Sequence, residues 1–280
     1  MKSKLTIAWI GLWLGWQVES NWTHPLFYAF LSAIRPISAS LILIFMYYVV
    51  IGGDFSRPEF AHLYIGHTFF LFIGSLLMGI SFTIHDDRDH YQMFRYLYLA
   101  PGGLYAYLIG RGGTRLLTTT FAVAVNLAVG IWFFRIPIGF ETIHPVYFII
   151  SLVTGLVAIM ALGILLAGFH IITSRHSFFL GEGLAGVFYL LCGCIYTLDV
   201  LPPWAQTVGK WMPFTYWFSA LRRSLGLTEL SQGLAGISLG GVVGLLVAFT
   251  LLLAVIAHYF YKAMERVALR HGKIDVVFNY

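Results

Sequence analysis

The chain has 280 residues, of which 59% are hydrophobic and 17% aromatic, and its mean hydropathy is +0.82. Lys and Arg number 17 and Asp and Glu 12, so charged residues make up 10%, where a soluble domain carries about 25%. So few charges exclude a soluble enzyme, a disordered chain and a nucleic-acid-binding domain, and leave an integral membrane protein.

The N-terminal stretch places Trp9, Trp13 and Trp16 at i, i+4 and i+7, after Lys2 and Lys4. Tryptophan rings sit well at the lipid headgroup level and lysines pair with anionic lipid, so this spacing predicts an amphipathic helix lying on the membrane face. The plainer alternative is the front half of a longer first span, and Gly11 and Gly15 weaken the helix. Glu19-Ser20-Asn21-Trp22 stands where a signal peptide would need small residues, so the segment reads as retained.

A spanning helix needs about 20 mostly apolar residues. Six runs qualify, at 36–51, 61–84, 116–134, 146–172, 178–198 and 234–261, the first extending backward through Arg35 toward Leu26. With a lead-in over 1–34, polar segments at 85–103 and 199–233 and a tail over 262–280, they form a single all-α membrane domain over 1–280. Twelve of the 17 cations, from Lys2, Lys4 and Arg35 through Arg88, Arg95, Arg111, Arg115 and Arg175 to the tail, fall on one side. The positive-inside rule makes that side cytoplasmic, with both termini on it.

Between the second and third runs, His85-Asp86-Asp87-Arg88-Asp89-His90 precedes Tyr91, Phe94, Arg95 and Tyr98. Three aspartates suit a helix N-terminus, and Tyr91, Phe94 and Tyr98 at i, i+3 and i+7 give one aromatic face. The segment reads as a short amphipathic helix on which a soluble partner could dock; a solvated connector with ordinary capping is the alternative. Clustered aspartates also hold Mg²⁺ in membrane prenyl and lipid-phosphate transferases, but Asp54, Asp199 and Asp275 are isolated and supply no second cluster.

Further along, Glu182 between Gly181 and Gly183 is an acid at the edge of the fifth run, with Arg111, Arg115 and Arg175 as candidate partners in a gate or ion pair. Cys192 and Cys194, two apart, point to opposite helix faces and read as core residues. The ten histidines read as hydrogen-bonded rather than metal-binding, since His62 and His67, and His85 and His90, are five apart. Gly236, Gly240 and Gly244 at four-residue spacing predict a close-packing face within the chain. Pro202, Trp204, Pro213, Tyr216 and Arg222 mark a segment too apolar for a solvated loop and too broken by proline for a span, which fits short re-entrant helices on the outer side.

An amphipathic start, six spans, a polar helix after the second span ending in Ala100-Pro101, and the late Leu201-Pro202-x-Trp204, Pro213-x-Thr215-Tyr216 and Arg222 pattern together resemble the ABC-2 type permease, the membrane subunit of ATP-driven exporters. The resemblance covers nearly the whole chain. It implies that two permease subunits pair, each docking a separate ATP-binding subunit that holds ATP and Mg²⁺. It further implies that Trp9, Trp13 and Trp16 lie on an interface helix, that 86–98 is the coupling helix, and that 202–216 shapes the exit. Family members carry a Glu-rich start to the coupling region where this chain has Asp86, Asp87 and Asp89. The 280 residues contain no G-x-x-x-x-G-K-[ST] phosphate loop, which agrees with an ATPase site on another polypeptide. The alternatives are a secondary transporter, for which internal repeats and paired broken helices are not evident, and the Mg²⁺-dependent transferase already weighed.

Overall fold

The computed structural model describes residues 4–21, 23–99, 104–136, 138, 143–173 and 177–272, without some side chains within those stretches. Ala100, Pro101 and Arg175, and the side chains of Lys4, Arg35, Asp89, Arg95 and Tyr98, lie outside the described residues. The described residues form helices and connectors with no strand. The helices are α1 (Lys4–Ser20), α2 (Pro25–Ile51), α3 (Pro58–His85), α4 (Phe94–Leu99), α5 (Leu104–Phe133), α6 (Pro145–Ile172), α7 (Ser177–Leu191), α8 (Pro203–Lys210), α9 (Pro213–Ser224), α10 (Gln232–Ala235) and α11 (Leu239–Arg270). Proline stands at the first turn of α3, α6, α8 and α9, where its fixed φ suits the helix and its missing N–H has no intrahelical partner to lose.

The architecture is a bundle around α3, which touches α2, α5, α6, α7 and α9. Its aromatic residues Phe60, Tyr64, Phe69 and Phe72 are buried, and the Tyr64 hydroxyl donates to the Asn126 carbonyl on α5 at 2.7 Å. α1 lies along α5 and α11 along α6. One apolar core fills most of the bundle around Phe60, Phe72, Phe214 and Trp217. A second, around Ile80, Ile84, Phe94, Leu108 and Ile171, fills the end at which α1 and the last turns of α11 lie. We call this the basic end and its opposite the far end.

Among the described residues, five helices are long and apolar enough to cross a membrane: 30–51, 58–88, 104–133, 145–172 and 239–270. The first run does extend backward, as α2 from Pro25, with Pro36 inside it and the Ser40 hydroxyl donating to the Pro36 carbonyl at 3.0 Å. The third begins twelve residues before 116 and takes Arg111 and Arg115 into its first turns. The run at 178–198 is a helix of 15 residues, about 22 Å long and short of a hydrocarbon core of about 30 Å. It stops at Leu191, and Gly193 at φ +67° turns the chain back toward α8. The last run starts at Leu239, where the Ser238 hydroxyl caps the helix by accepting from the Gly241 amide at 3.2 Å.

Glycine spacing misleads in both directions. A Cβ at Gly236 or Gly244 would meet nothing within 4 Å, and one at Gly240 only the Tyr147 hydroxyl at 3.7 Å, so the regular stripe, whose first member Gly236 precedes α11, is not a packing face among the described residues. The less regular glycines of α6 are the packed ones, Gly155 against Trp217 and Gly163 against Ile80. Likewise Gly11 and Gly15 do not merely weaken α1. They let it approach α5, where a Cβ at Gly11 would stand 2.7 Å from the Tyr107 carbonyl oxygen and one at Gly15 2.5 Å from Thr114 Oγ1.

A Cβ at Gly110 would overlap the Ala8 carbonyl oxygen. Gly110→Ala is therefore expected to lower the thermal midpoint of the detergent-solubilised protein by prying α1 from α5, at a cost of about 1–3 kcal/mol. Gly183→Ala on α7, where nothing lies within 4 Å, should leave the midpoint unchanged or raise it, since alanine favours a helix by about 0.5–1 kcal/mol over glycine. Equal midpoints for the two variants would show that α1 does not pack as described.

Candidate functional site at the 85–99 segment

α3 does not end at the aspartates. It runs on through a wider turn over Asp86–His90, closed by the Tyr91 amide donating to the Asp86 carbonyl at 2.9 Å and the Met93 amide to the Asp87 carbonyl at 2.8 Å. Gln92, at φ +51°, breaks the helix, and α4 follows with six residues. Asp86 and Asp87 thus extend a helix C-terminus instead of opening a helix, which corrects the reading from sequence. Negative charge is unfavourable at that end of the dipole, and a cation offsets it: Arg111 Nη2 lies 3.8 Å from Asp87 Oδ1, both side chains buried, with Tyr107 beside the pair. Asp86 is half-buried.

Arg88 turns to the other neighbour. Its Nη1 donates to the carbonyls of His170 and Ile171, each at 3.4 Å, at the C-terminal turn of α6. Carbonyls there have no intrahelical partner and a cation suits the dipole. The His170 ring is hydrogen-bonded in turn to the Ser81 carbonyl at 2.7 Å. Phe94 is buried in the core of the basic end. Tyr91, by contrast, is exposed, with its ring against His90, so Tyr91 and Phe94 do not share the single aromatic face expected from their spacing. The break at Gln92 turns them apart. The exposed face is made by Tyr91 together with Tyr96, 74% exposed, and Leu99, 73% exposed.

α1 joins the same end. Glu19 Oε1 pairs with Arg115 Nε at 2.9 Å, Glu19 Oε2 accepts from the Tyr28 hydroxyl at 2.8 Å, and Thr114 Oγ1 donates to the Leu12 carbonyl at 2.9 Å. Trp9 and Trp13, 66% and 55% exposed, face outward. Trp16 is partly buried and meets the Tyr28 ring edge-on at 5.7 Å.

At the far end, Arg222 of α9 is buried and donates to three carbonyls: Nε to His62 at 3.1 Å, Nη1 to Gly193 at 2.9 Å, and Nη2 to Cys194. A Cβ at Gly66 would overlap both the Cys194 carbonyl and Arg222 Nη2. Pro202 precedes α8 and Pro213 opens α9. The Tyr216 hydroxyl donates to the Lys210 carbonyl at 2.8 Å, while Trp204 projects outward. α8, folded back against α7, and α9, packed on α6 and α11 and joined to α3 by one guanidinium, make this end a cap.

A family model for the ABC-2 type transporter matches residues 10–225. The chain belongs to the ABC-2 type transporter family. No curated protein sequence matched it. The match takes in α1 from its middle turns through α9, so the 85–99 segment and the cap both lie inside the ABC-2 region. The chain is the membrane-embedded, permease-type subunit of an ABC transporter and passes the membrane several times.

Glu182 does not meet Arg111 or Arg115. It is exposed on α7, while Arg111 and Arg115 are engaged by Asp87 and Glu19. Arg175 lies outside the described residues. Sequence reasoning missed Glu19 and Tyr107; the only signal was the four-residue spacing of Tyr107, Arg111 and Arg115, which places them on one helix face.

The buried Asp87–Arg111 pair gives a direct test. Asp87→Asn and Arg111→Met should each destabilise the folded protein by about 3–5 kcal/mol, because each leaves an unpaired buried charge. The double variant should be little worse than either alone. Denaturation in detergent measures all three, and strictly additive losses would mean that the two side chains do not interact.

Proposed function

We propose that the chain is the permease subunit of an ATP-driven exporter, and that the 85–99 segment is where a separate ATP-binding subunit docks. The observation that carries this reading is the double attachment of one short segment. It is tied to α5 through Asp87 and Arg111 and to α6 through Arg88, while Tyr91, Tyr96 and Leu99 are left exposed. A push on that face would reach three long helices at once, α3 by continuity and α5 and α6 by side-chain contact. ATP and Mg²⁺ would sit in the partner, since the 280 residues carry no phosphate loop of their own.

In this reading the basic end is cytoplasmic, as the distribution of lysine and arginine favours, in a bacterial inner membrane. α1 lies at the lipid interface with Trp9 and Trp13 among the headgroups. Two copies of the permease, or this chain and a related one, pair and engage two ATP-binding subunits. The far-end cap around Arg222 borders the exit, and the cargo is amphipathic or lipid-linked, a drug, lipid or glycan. The chain itself catalyses no reaction.

Co-expression of the chain with its genomic neighbours should yield a copurifying complex that contains an ATP-binding subunit. Asp87 is unsuited to testing the dock, because it is buried in a fold-stabilising pair. Tyr91→Ala with Tyr96→Ala should instead leave the permease folded and monodisperse while reducing recovery of the ATP-binding subunit at least several-fold. Full recovery with both tyrosines removed would place the dock elsewhere.

A further inference from the structure

At the far end a small, partly open cavity lies between the start of α3, the turn after α7, α9 and the connector leading into α10. His62, Cys192, Thr197, Arg222, Glu229 and Ser231 are among the residues that line it. Most of the polar atoms around it are already committed. Arg222 serves three carbonyls. Glu229 accepts from the Ser219 hydroxyl and, at 3.1 Å, from the Ser231 amide. The Thr215 hydroxyl donates to the Gly209 carbonyl at 2.7 Å.

Two of the buried side chains are not committed. Neither ring nitrogen of His62 makes a hydrogen bond of normal geometry, and neither does the Ser231 hydroxyl, although both residues are buried. The Gly193 carbonyl lies near the imidazole, but it can accept only from the protonated nitrogen of a neutral ring, and the other nitrogen remains an open acceptor. Ser231 occupies the N-cap position of α10 without capping it, so its hydroxyl is free to turn into the cavity. The large majority of buried side-chain polar atoms are matched, by protein or by ordered water. The cavity surface is mainly apolar, with room for about one water, and the open His62 and Ser231 atoms with the Glu229 carboxylate supply the partners, about two to four, that a water takes.

We propose that this cavity is a binding site for one ordered water molecule, which joins His62 on α3 to Ser231 at the head of α10. The water donates to the open His62 nitrogen, exchanges a hydrogen bond with the Ser231 hydroxyl, and has the Glu229 carboxylate as a further acceptor. A metal ion is a poor occupant, since among the described residues no three His, Cys, Asp or Glu side chains converge to hold one. An anion would face the Glu229 carboxylate with the arginine already spent on carbonyls. The water extends the cap: Arg222 ties α9 to α3 and to the turn after α7, and the water ties the connector that follows α9 to the same helix start.

The chain supplies its own reporter. Its only two cysteines, Cys192 and Cys194, are both buried, and only Cys192 borders the cavity. X-ray radiolysis generates hydroxyl radicals from bound water as well as from bulk water, and they oxidise the side chains next to it. In the folded full-length protein, Cys192 should be oxidised several-fold faster than Cys194, while neither reacts with N-ethylmaleimide. Ser231→Val should bring the Cys192 rate down to that of Cys194. Equal rates in the unaltered protein, which do not depend on the variant folding, would overturn the proposal. So would modification of Cys192 by N-ethylmaleimide, which would mean open access to bulk solvent, or an undiminished Cys192 rate in Ser231→Val, which would remove Ser231 as the partner.

Discussion

Arg222 donates from all three of its nitrogens to backbone carbonyls of two separate chain segments, the start of α3 and the turn that follows α7. A guanidinium taken out of water is tolerated only when its donors are met, and here two carbonyls of the turn after α7 and one carbonyl of α3 meet them. Much of the rest follows from that junction. α7 can stop after 15 residues because the turn beyond it has a donor waiting for its carbonyls. α8 and α9 can then fold back against the bundle without leaving a polar backbone bare in an apolar setting. The same guanidinium stands 5.7 Å over the Phe218 ring, one helical turn back on α9, so it is held on its flat face as well as at its edges.

The basic end is built on the same rule with different residues. Asp87, Arg88 and Arg111 are all buried, in a chain with few charges to spare, and each meets either an opposite charge or the end of a helix. α3 is therefore fixed at both ends by arginines and along its length by aromatic packing. A helix fixed in this way behaves as a stiff element. A displacement applied to the segment that continues it is passed to its neighbours and not absorbed by local fraying. Packed, bistable contacts of this kind are what allow a small shift at one site to be felt at another.

Membrane character, the positions of the long apolar runs and the polar segment after the second of them were legible in the sequence, because hydropathy acts locally and every residue of a spanning helix must satisfy it. The pattern at Pro202, Pro213, Tyr216 and Arg222 was legible for a related reason: proline at that density forbids a continuous span. What was illegible was the direction of each side chain. Periodicity put Tyr91 and Phe94 on one face, and a single residue at positive φ, Gln92, turned them apart. Periodicity also favoured the glycines of α11 over those of α1, yet Gly11, Gly15 and Gly110 are where two helices come close.

The sequence by itself determined that this is an all-helical membrane protein with its cations concentrated at one end and a short polar segment after its second long helix. Those properties are sums over local composition. Only the tertiary structure decided which charges meet. Arg111 lies 24 positions after Asp87 and Arg115 lies 96 after Glu19, and no spacing rule relates them. Their pairing depends on how closely α1 and the end of α3 approach α5, which glycines and packing determine together. In a chain with so few charges, each buried one needs a partner, and the fold is the arrangement in which the partners are found.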